Sequence, residues 1–265
     1  MKNILLFLIF LIPFSFNSYA TIEIDITEGN REPLPIAITN FFHDGNDKIT
    51  NTDLPSKIRD VIQNDLESTG LFNSIDEKAF IQENKSLHLK PRFADWRLIN
   101  SQGLVTGDLK IEDDRLKVEF RLWDTLAEKE IEGLVLITTP DNWRRISHMI
   151  ADKIYERLTG EEGYFDTRIV YVAEEGPKNN RVKKLAIMDQ DGANHKFLTS
   201  GKELVLTPRF NPVRQEITYL SYFKNLPRVY LLNIQTGIQE VVGDFPGMTF
   251  APRFSPDGNK IIMSL

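Results

Sequence analysis

The strongest constraint on this chain is that one stretch of its sequence nearly repeats another. "TPRFNPVRQEITYLS" (207–221) and "APRFSPDGNKIIMSL" (251–265) align at an offset of 44 residues. At that offset Pro208 and Pro252, Arg209 and Arg253, Phe210 and Phe254, Pro212 and Pro256, and Ile217 and Ile261 are identical. A period of this length marks one supersecondary unit stacked on copies of itself. Within it, "EITYLSY" (216–222), "RVYLLNI" (228–234) and "IQEVV" (238–242) read as short strands, the last two joined at Thr236-Gly237. The same order stands upstream in "RIVYVAE" (168–174), "KKLAIMD" (183–189), the turn Asp191-Gly192, and "HKFLT" (195–199). Ser255-Pro256-Asp257-Gly258 is turn sequence, because Pro presets φ and Gly accepts the positive φ that follows. With "PRF" counted as the first strand, four short strands per period is the pattern of a β-propeller blade.

Propellers close into rings of typically four to eight blades. This chain holds one full blade (207–242), most of one before it (168–199) that lacks its own "PRF" strand, and the opening of a third. Blades without ring neighbours leave apolar faces and strand edges exposed, which native proteins avoid. Residues 168–265 are therefore expected to be an incomplete β-propeller belonging to a longer protein.

The first twenty residues predict export. "MKNILLFLIFLIPFSFNSYA" opens with Lys2, runs apolar from Ile4 to Ile12 and breaks at Pro13. Ser18 and Ala20 are small residues two apart, placing cleavage between Ala20 and Thr21. The apolar stretch is short of the ~20 residues a spanning helix needs, so a signal peptide (1–20) is expected, and not a membrane anchor. With no cysteine there is no disulfide framework and no thiol for lipid attachment. A formal net charge of −6 argues against nucleic acid or an anionic membrane as the main partner.

Residues 34–160 read as a separate α+β domain, two main helices packed on a mixed, mostly antiparallel sheet. "PIAITNFF" (35–42) is an apolar strand. Asp53 is an N-cap candidate with Pro55 in the first turn, Ile58, Val61, Ile62 and Leu66 follow at helical spacing, and Gly70 suits the end. "LKVEFRLW" (116–123) alternates, with Leu116, Val118, Phe120 and Leu122 on one face, and is expected to pair with "EIEGLVLIT" (130–138). Thr139 and Pro140 start a second helix carrying Trp143, Ile146, Ile150, Ile154 and Leu158 as its stripe, ended by Gly160. Residues 161–167 read as a hinge. Ahead of the domain, residues 21–33 form an exposed strand and linker: Ile22, Ile24 and Ile26 face one way, Glu23 and Asp25 the other, before Gly29-Asn30 loosens the chain. Such a segment is either an edge strand of its own domain or a strand that another protein borrows.

Chemistry is sparse. His43, His88, His148 and His195 stand singly, without metal-ligand spacing. No nucleophile elbow, P-loop or dinucleotide fingerprint occurs. "DQDG" (189–192) is better explained as a hairpin turn than a calcium loop, since Ile187 stands where the first carboxylate belongs. "IEDDR" (111–115) reads as a solvated hairpin tip. Exposed loops on a rigid scaffold point to binding, with no catalytic, cofactor or metal site.

The chain resembles the TolB family, periplasmic components of the Tol-Pal envelope system. The resemblance rests on the export signal, the N-terminal strand, "PIAITNF" (35–41), "DLESTGLF" (65–72), the junction "KIYERLTGEEGYFDTRIVYV" (153–172) and "PRFSPDG" (252–258). The complete blade departs from it, carrying "NPVR" (211–214) where Ser-Pro-Asp-Gly belongs. The resemblance implies a six-bladed propeller and a non-enzymatic adaptor without cofactor. It implies that Ile22, Glu23, Ile24, Asp25 and Ile26 bind the C-terminal domain of TolA, which sits in the inner membrane. It also implies that the propeller binds the outer-membrane lipoprotein Pal, in outer-membrane constriction during division and in envelope integrity. The other reading is the propeller half of an exported serine peptidase, which a G-x-S-x-G after the last blade would reveal.

Overall fold

The computed structural model describes residues 22–24, 32–43, 53–82, 89–223, 226–243, 245, 247 and 249–264. Residues 1–20, with the expected signal peptide, and Thr21 lie outside them, as do Asp25 and Ile26.

In the first part of the chain, alternation fixes the centre of a sheet. Strand β4 (Arg115–Asp124) turns Leu116, Val118, Phe120 and Leu122 to one face, and all four are fully buried. It pairs antiparallel with β3 (Gly103–Glu112) and with β5 (Lys129–Thr138). Only Asp113 and Asp114 separate β3 from β4, both at positive φ (49° and 56°), as a two-residue type I′ turn requires. Aspartate enters that region more readily than most residues, so the acidic tip has a conformational reason. β1 (Leu34–Ile38) pairs parallel with both β3 and β2 (Phe72–Ser74), giving the order β2-β1-β3-β4-β5. The sheet is thus evenly mixed and not mostly antiparallel. Its parallel half arises because β1 connects to β2 through a helix, a crossover that parallel neighbours need.

That helix, α1 (Leu54–Ser68), begins after Asp53 with Pro55 in its first turn and buries Ile58, Val61, Ile62 and Leu66. A short helix α2 (Phe93–Leu98) precedes β3. The long helix α3 (Trp143–Thr159) does not begin at Thr139. Pro140–Asn142 form a single 3₁₀ turn first, and the α-helix starts at Trp143. Ile146, Ile150, Ile154 and Leu158 are buried, Trp143 is half-buried, and Gly160 ends the helix in the left-handed region at φ 76°. Helices α1 and α3 pack on each other, and α3 lies on β4 and β5. Between them the Asp65 carboxylate meets His148 Nδ1 at 2.6 Å, both groups buried. The opposite face of the sheet is closed at one end by a second cluster of Ala37, Phe93, Trp96, Leu104 and Trp123, with Ile75, Phe80 and Ile99 around it.

The chain divides into two compact units between Gly163 and Tyr164. The second unit is built from short strands. β6 (Arg168–Glu175), β7 (Val182–Asp189) and β8 (Lys196–Phe197) form a three-stranded sheet. β9 (Val205–Phe210), β10 (Glu216–Ser221), β11 (Arg228–Asn233) and β12 (Gln239–Val241) form a four-stranded antiparallel blade in sequential order. β13 (Phe250–Phe254) and β14 (Ile261–Ser264) pair alone. One core joins the first two sheets: Leu185 packs with Val205, Ile217, Tyr219, Tyr230 and Leu232, flanked by Val170, Val172 and Phe210. The described sheets do not close into a ring, as an incomplete propeller requires.

The repeat extends to the backbone. Thr207 and Ala251 occupy equivalent positions, both left-handed (φ 48° and 53°), and the pairing of β9 with β10 and of β13 with β14 slips nearby. Such bulges add local twist at a defined point.

Candidate functional site

The segment expected to stand exposed as a strand does not do so where it is described. Ile22 and Ile24 are buried at 8% and 9% exposure, Glu23 faces solvent, and none of the three belongs to a strand. The alternation in the sequence therefore operates, but against the segment's own domain.

Two acceptors hold it there. The Ile24 N–H donates to the Leu158 carbonyl at 2.5 Å. Leu158 lies in the last turn of α3, where the final four carbonyls of a helix have no intrahelical partner. A helix end thus offers a ready main-chain acceptor, and Gly160 turns the chain away without covering it. The Ile22 N–H donates to Asp124 Oδ2 at 2.9 Å. Asp124 ends β4 and is fully buried; its other oxygen, Oδ1, accepts the Leu126 and Ala127 N–H groups at 2.9 and 2.8 Å. One carboxylate therefore both shapes the β4–β5 turn and anchors the segment.

Magnitudes show how firmly. Burying two isoleucines contributes roughly 3–6 kcal/mol, and each hydrogen bond about 1 kcal/mol. Ordering three backbone residues and two such side chains costs roughly 4–8 kcal/mol. The two sides nearly balance.

The repeat-defining residues fall where the period requires. Pro208, Arg209 and Phe210 end β9, Pro252, Arg253 and Phe254 end β13, and Pro212 and Pro256 sit in the following turns. In the second of these turns the Ser255 hydroxyl and the Asn259 N–H bond the Asp257 carboxylate and hold it below the usual range. Gly258 takes φ 69°. In the first turn Asn211 replaces this arrangement: its Oδ1 accepts the Val213 and Arg214 N–H groups at 2.9 and 3.0 Å. Asn211 and Arg214 also donate to the Gly258 carbonyl at 3.0 and 2.6 Å, so the departing turn sews one blade to the next.

Sequence reasoning missed Asp124 and Leu158. Asp124 carries a local signal, an aspartate between an apolar strand and a turn, but nothing local ties it to Ile22, 102 residues away. Among the described residues no helix is long and apolar enough to cross a membrane.

Comparison with known proteins covers both units. Residues 22–131 match the TolB amino-terminal domain, and residues 155–265 match the TolB beta propeller domain. The chain is similar to the Tol-Pal system protein TolB of Pelagibacter ubique (strain HTCC1062), 61% identical over 252 residues, which is 93% of this chain and 56% of that protein. The crystal structure of TolB from Acinetobacter baumannii superposes with a TM-score of 0.72 at 28% identity, over 87% of this chain and 54% of that one. The chain spans about half the length of the relatives it matches.

Proposed function

The chain belongs to the TolB family, and from that premise we propose that it acts as a non-enzymatic periplasmic adaptor of the Tol-Pal system. In this reading it is exported by a signal peptide cleaved between Ala20 and Thr21. The N-terminal segment, Ile22 to Ile26, is the strand offered to the C-terminal domain of TolA. The propeller is the surface for Pal. Linking the two partners couples the inner and outer membranes during constriction at division and supports envelope integrity.

The observation that carries the reading is the docked segment itself. Its residues alternate apolar and acidic, as a strand borrowed by another sheet would. Among the described residues its own domain holds it by two hydrogen bonds from main-chain N–H groups, Ile22 to the Asp124 carboxylate and Ile24 to the Leu158 carbonyl. A partner sheet offers a full ladder instead. The two positions are mutually exclusive, so whatever favours one depletes the other by its differential affinity.

Titration of the full-length protein with each partner tests this. Deleting residues 21–28 is expected to abolish TolA binding and leave Pal binding intact or stronger. Ile24→Asp is expected to act the same way by spoiling the apolar edge, and Glu23→Gln to matter less. Unchanged TolA affinity after the deletion would reduce the segment to a structural part of its own domain.

A further inference from the structure

Strand β5 lies at one edge of the five-stranded sheet, and among the described residues it pairs with β4 alone. A free edge is a row of unpaired N–H and C=O groups, which native proteins guard with charges, bulges or cover. The first half of β5 is guarded in all three ways. It carries Lys129, Glu130 and Glu132, and its register slips where Glu130 and Glu132 face Trp123 and Leu122. The Arg157 Nε donates to the Ile131 carbonyl at 2.9 Å, occupying one main-chain acceptor. The second half, Gly133 to Thr138, carries no charge, no proline and no slip in register. Its side chains are apolar on both faces. Leu134 and Leu136 stand opposite Phe120 and Val118, on the face under α3, and are half-buried. Val135 and Ile137 stand opposite Glu119 and Lys117 on the other face, 46% and 57% exposed.

A strand that completes this edge must be uncharged and apolar on both faces. The N-terminal segment is not, because Glu23 alternates with Ile22 and Ile24. The second half of β5 is itself such a strand. We propose that it is a homotypic docking edge, at which a second copy of the chain adds its own β5 antiparallel and continues the sheet across a two-fold axis at Val135. Residues directly opposite in an antiparallel pair share a face. In this register Val135 meets its own counterpart, Leu134 of each copy meets Leu136 of the other, and Ile137 covers the bare backbone at Gly133. Glu132 meets Thr138, so no like charges are opposed. Such an interface is isologous and closes at two copies. The inference does not rest on the adaptor reading. A dimer presents each binding surface twice, and so gains affinity for clustered partners without any new contact to them.

Sedimentation equilibrium of the full-length protein tests the pairing. The average mass should rise from monomer toward dimer between roughly 1 and 300 µM, the range of a small interface. Val135→Lys and Val135→Glu each oppose two like charges across the axis, and each should weaken association roughly tenfold or more. An equimolar mixture of the two opposes Lys to Glu and should restore it. A wild-type protein that stays monomeric overturns the inference. So does association that neither variant weakens, or weakening that the mixture does not relieve. The Val135 side chain is exposed, so neither variant empties the core. Should both fail to fold, a thiol at this position decides. The chain has no cysteine, and antiparallel neighbours stand about 4.5–5.5 Å apart at Cα, within disulfide reach. With an added oxidant, Val135→Cys should form a covalent dimer roughly tenfold faster or more than Leu126→Cys, an exposed position in the β4–β5 turn. Equal rates overturn the pairing.

Discussion

The two units solve the problem of covering a sheet in opposite ways. The N-terminal unit carries its own cover: α1 and α3 close one face of its five strands, and α2 with the Phe80 region closes part of the other. Its central strands are ten residues long, and the inward Leu116, Val118, Phe120 and Leu122 of β4 are fully buried. Among its described residues the repeat unit has no α-helix, and each sheet borrows its cover from the next. Where no neighbour stands, apolar side chains are left in solvent: Ile262 is 73% exposed, Val213 69% and Ile238 67%. One unit is self-sufficient, and the other is a sum of interfaces. The docked N-terminal segment is anchored to the self-sufficient half.

The largest test of this contrast is where protection against hydrogen exchange lies in a polypeptide of residues 21–265. The amides of β3, β4, α1 and α3 should exchange through global unfolding only, at a cost of roughly 5 kcal/mol or more. Those of β6 to β12 should exchange through local opening at far lower cost, because a one-dimensional stack is stabilised by its interfaces. Equal protection through residues 168–242 would break the comparison and make the blades an independent domain.

A smaller effect sharpens the same contrast from within the N-terminal unit. α1 and α3 are joined by the buried Asp65–His148 pair, with exposures of only 1% and 3%. Asp65→Ala leaves an imidazole buried beside a cavity, and removing one partner of a buried pair costs about 3–5 kcal/mol. Chemical denaturation of the full-length protein should show that loss in the transition of the N-terminal unit and spare that of the repeats. A loss shared by both transitions would mean the units unfold together.

How much of this was legible in the sequence follows the range of each interaction. Pro55 near the start of α1 and Gly70 and Gly160 after helix ends are local signals, and both helices stand where those residues place them. Leu116 to Leu122 alternate within one strand, and the 44-residue repeat needs only self-comparison. The helix α2 is not legible in the sequence because its six residues are too few to display a period. Its two anchors, Phe93 and Trp96, are fixed by distant partners: Trp123 stands edge-on to Phe93, and Gln82 accepts the Trp96 indole N–H at 3.1 Å. The docked segment was half legible. The alternation of Ile22, Glu23 and Ile24 showed a strand-like edge but not whose surface it would meet, because Asp124 and Leu158 become neighbours only through the fold.

The smallest predicted effect concerns a polar group in the blade core, the counterpart of the Asp65–His148 pair. Tyr219 is 1% exposed in the cluster joining the first two sheets, stacked on Tyr230 at 5.7 Å, and its hydroxyl donates to Gln239 Oε1 at 2.7 Å. Burial pushes its phenol up to about 12 from an ordinary value of 10.0. The folded form therefore holds its proton more tightly than the unfolded chain does. This contribution is fully present below pH ~10 and is lost as pH rises toward ~12, because the unfolded chain releases the proton first. Stability of the repeat unit in the full-length protein should fall by about 2–3 kcal/mol across that window. Tyr219→Phe should flatten most of the slope, leaving a weaker one from Tyr230, whose phenol burial also raises. Tyr219→Phe should leave the N-terminal transition unchanged. Denaturant titrations at stepped alkaline pH measure both, and a slope that survives Tyr219→Phe unchanged would place its origin outside the blade core.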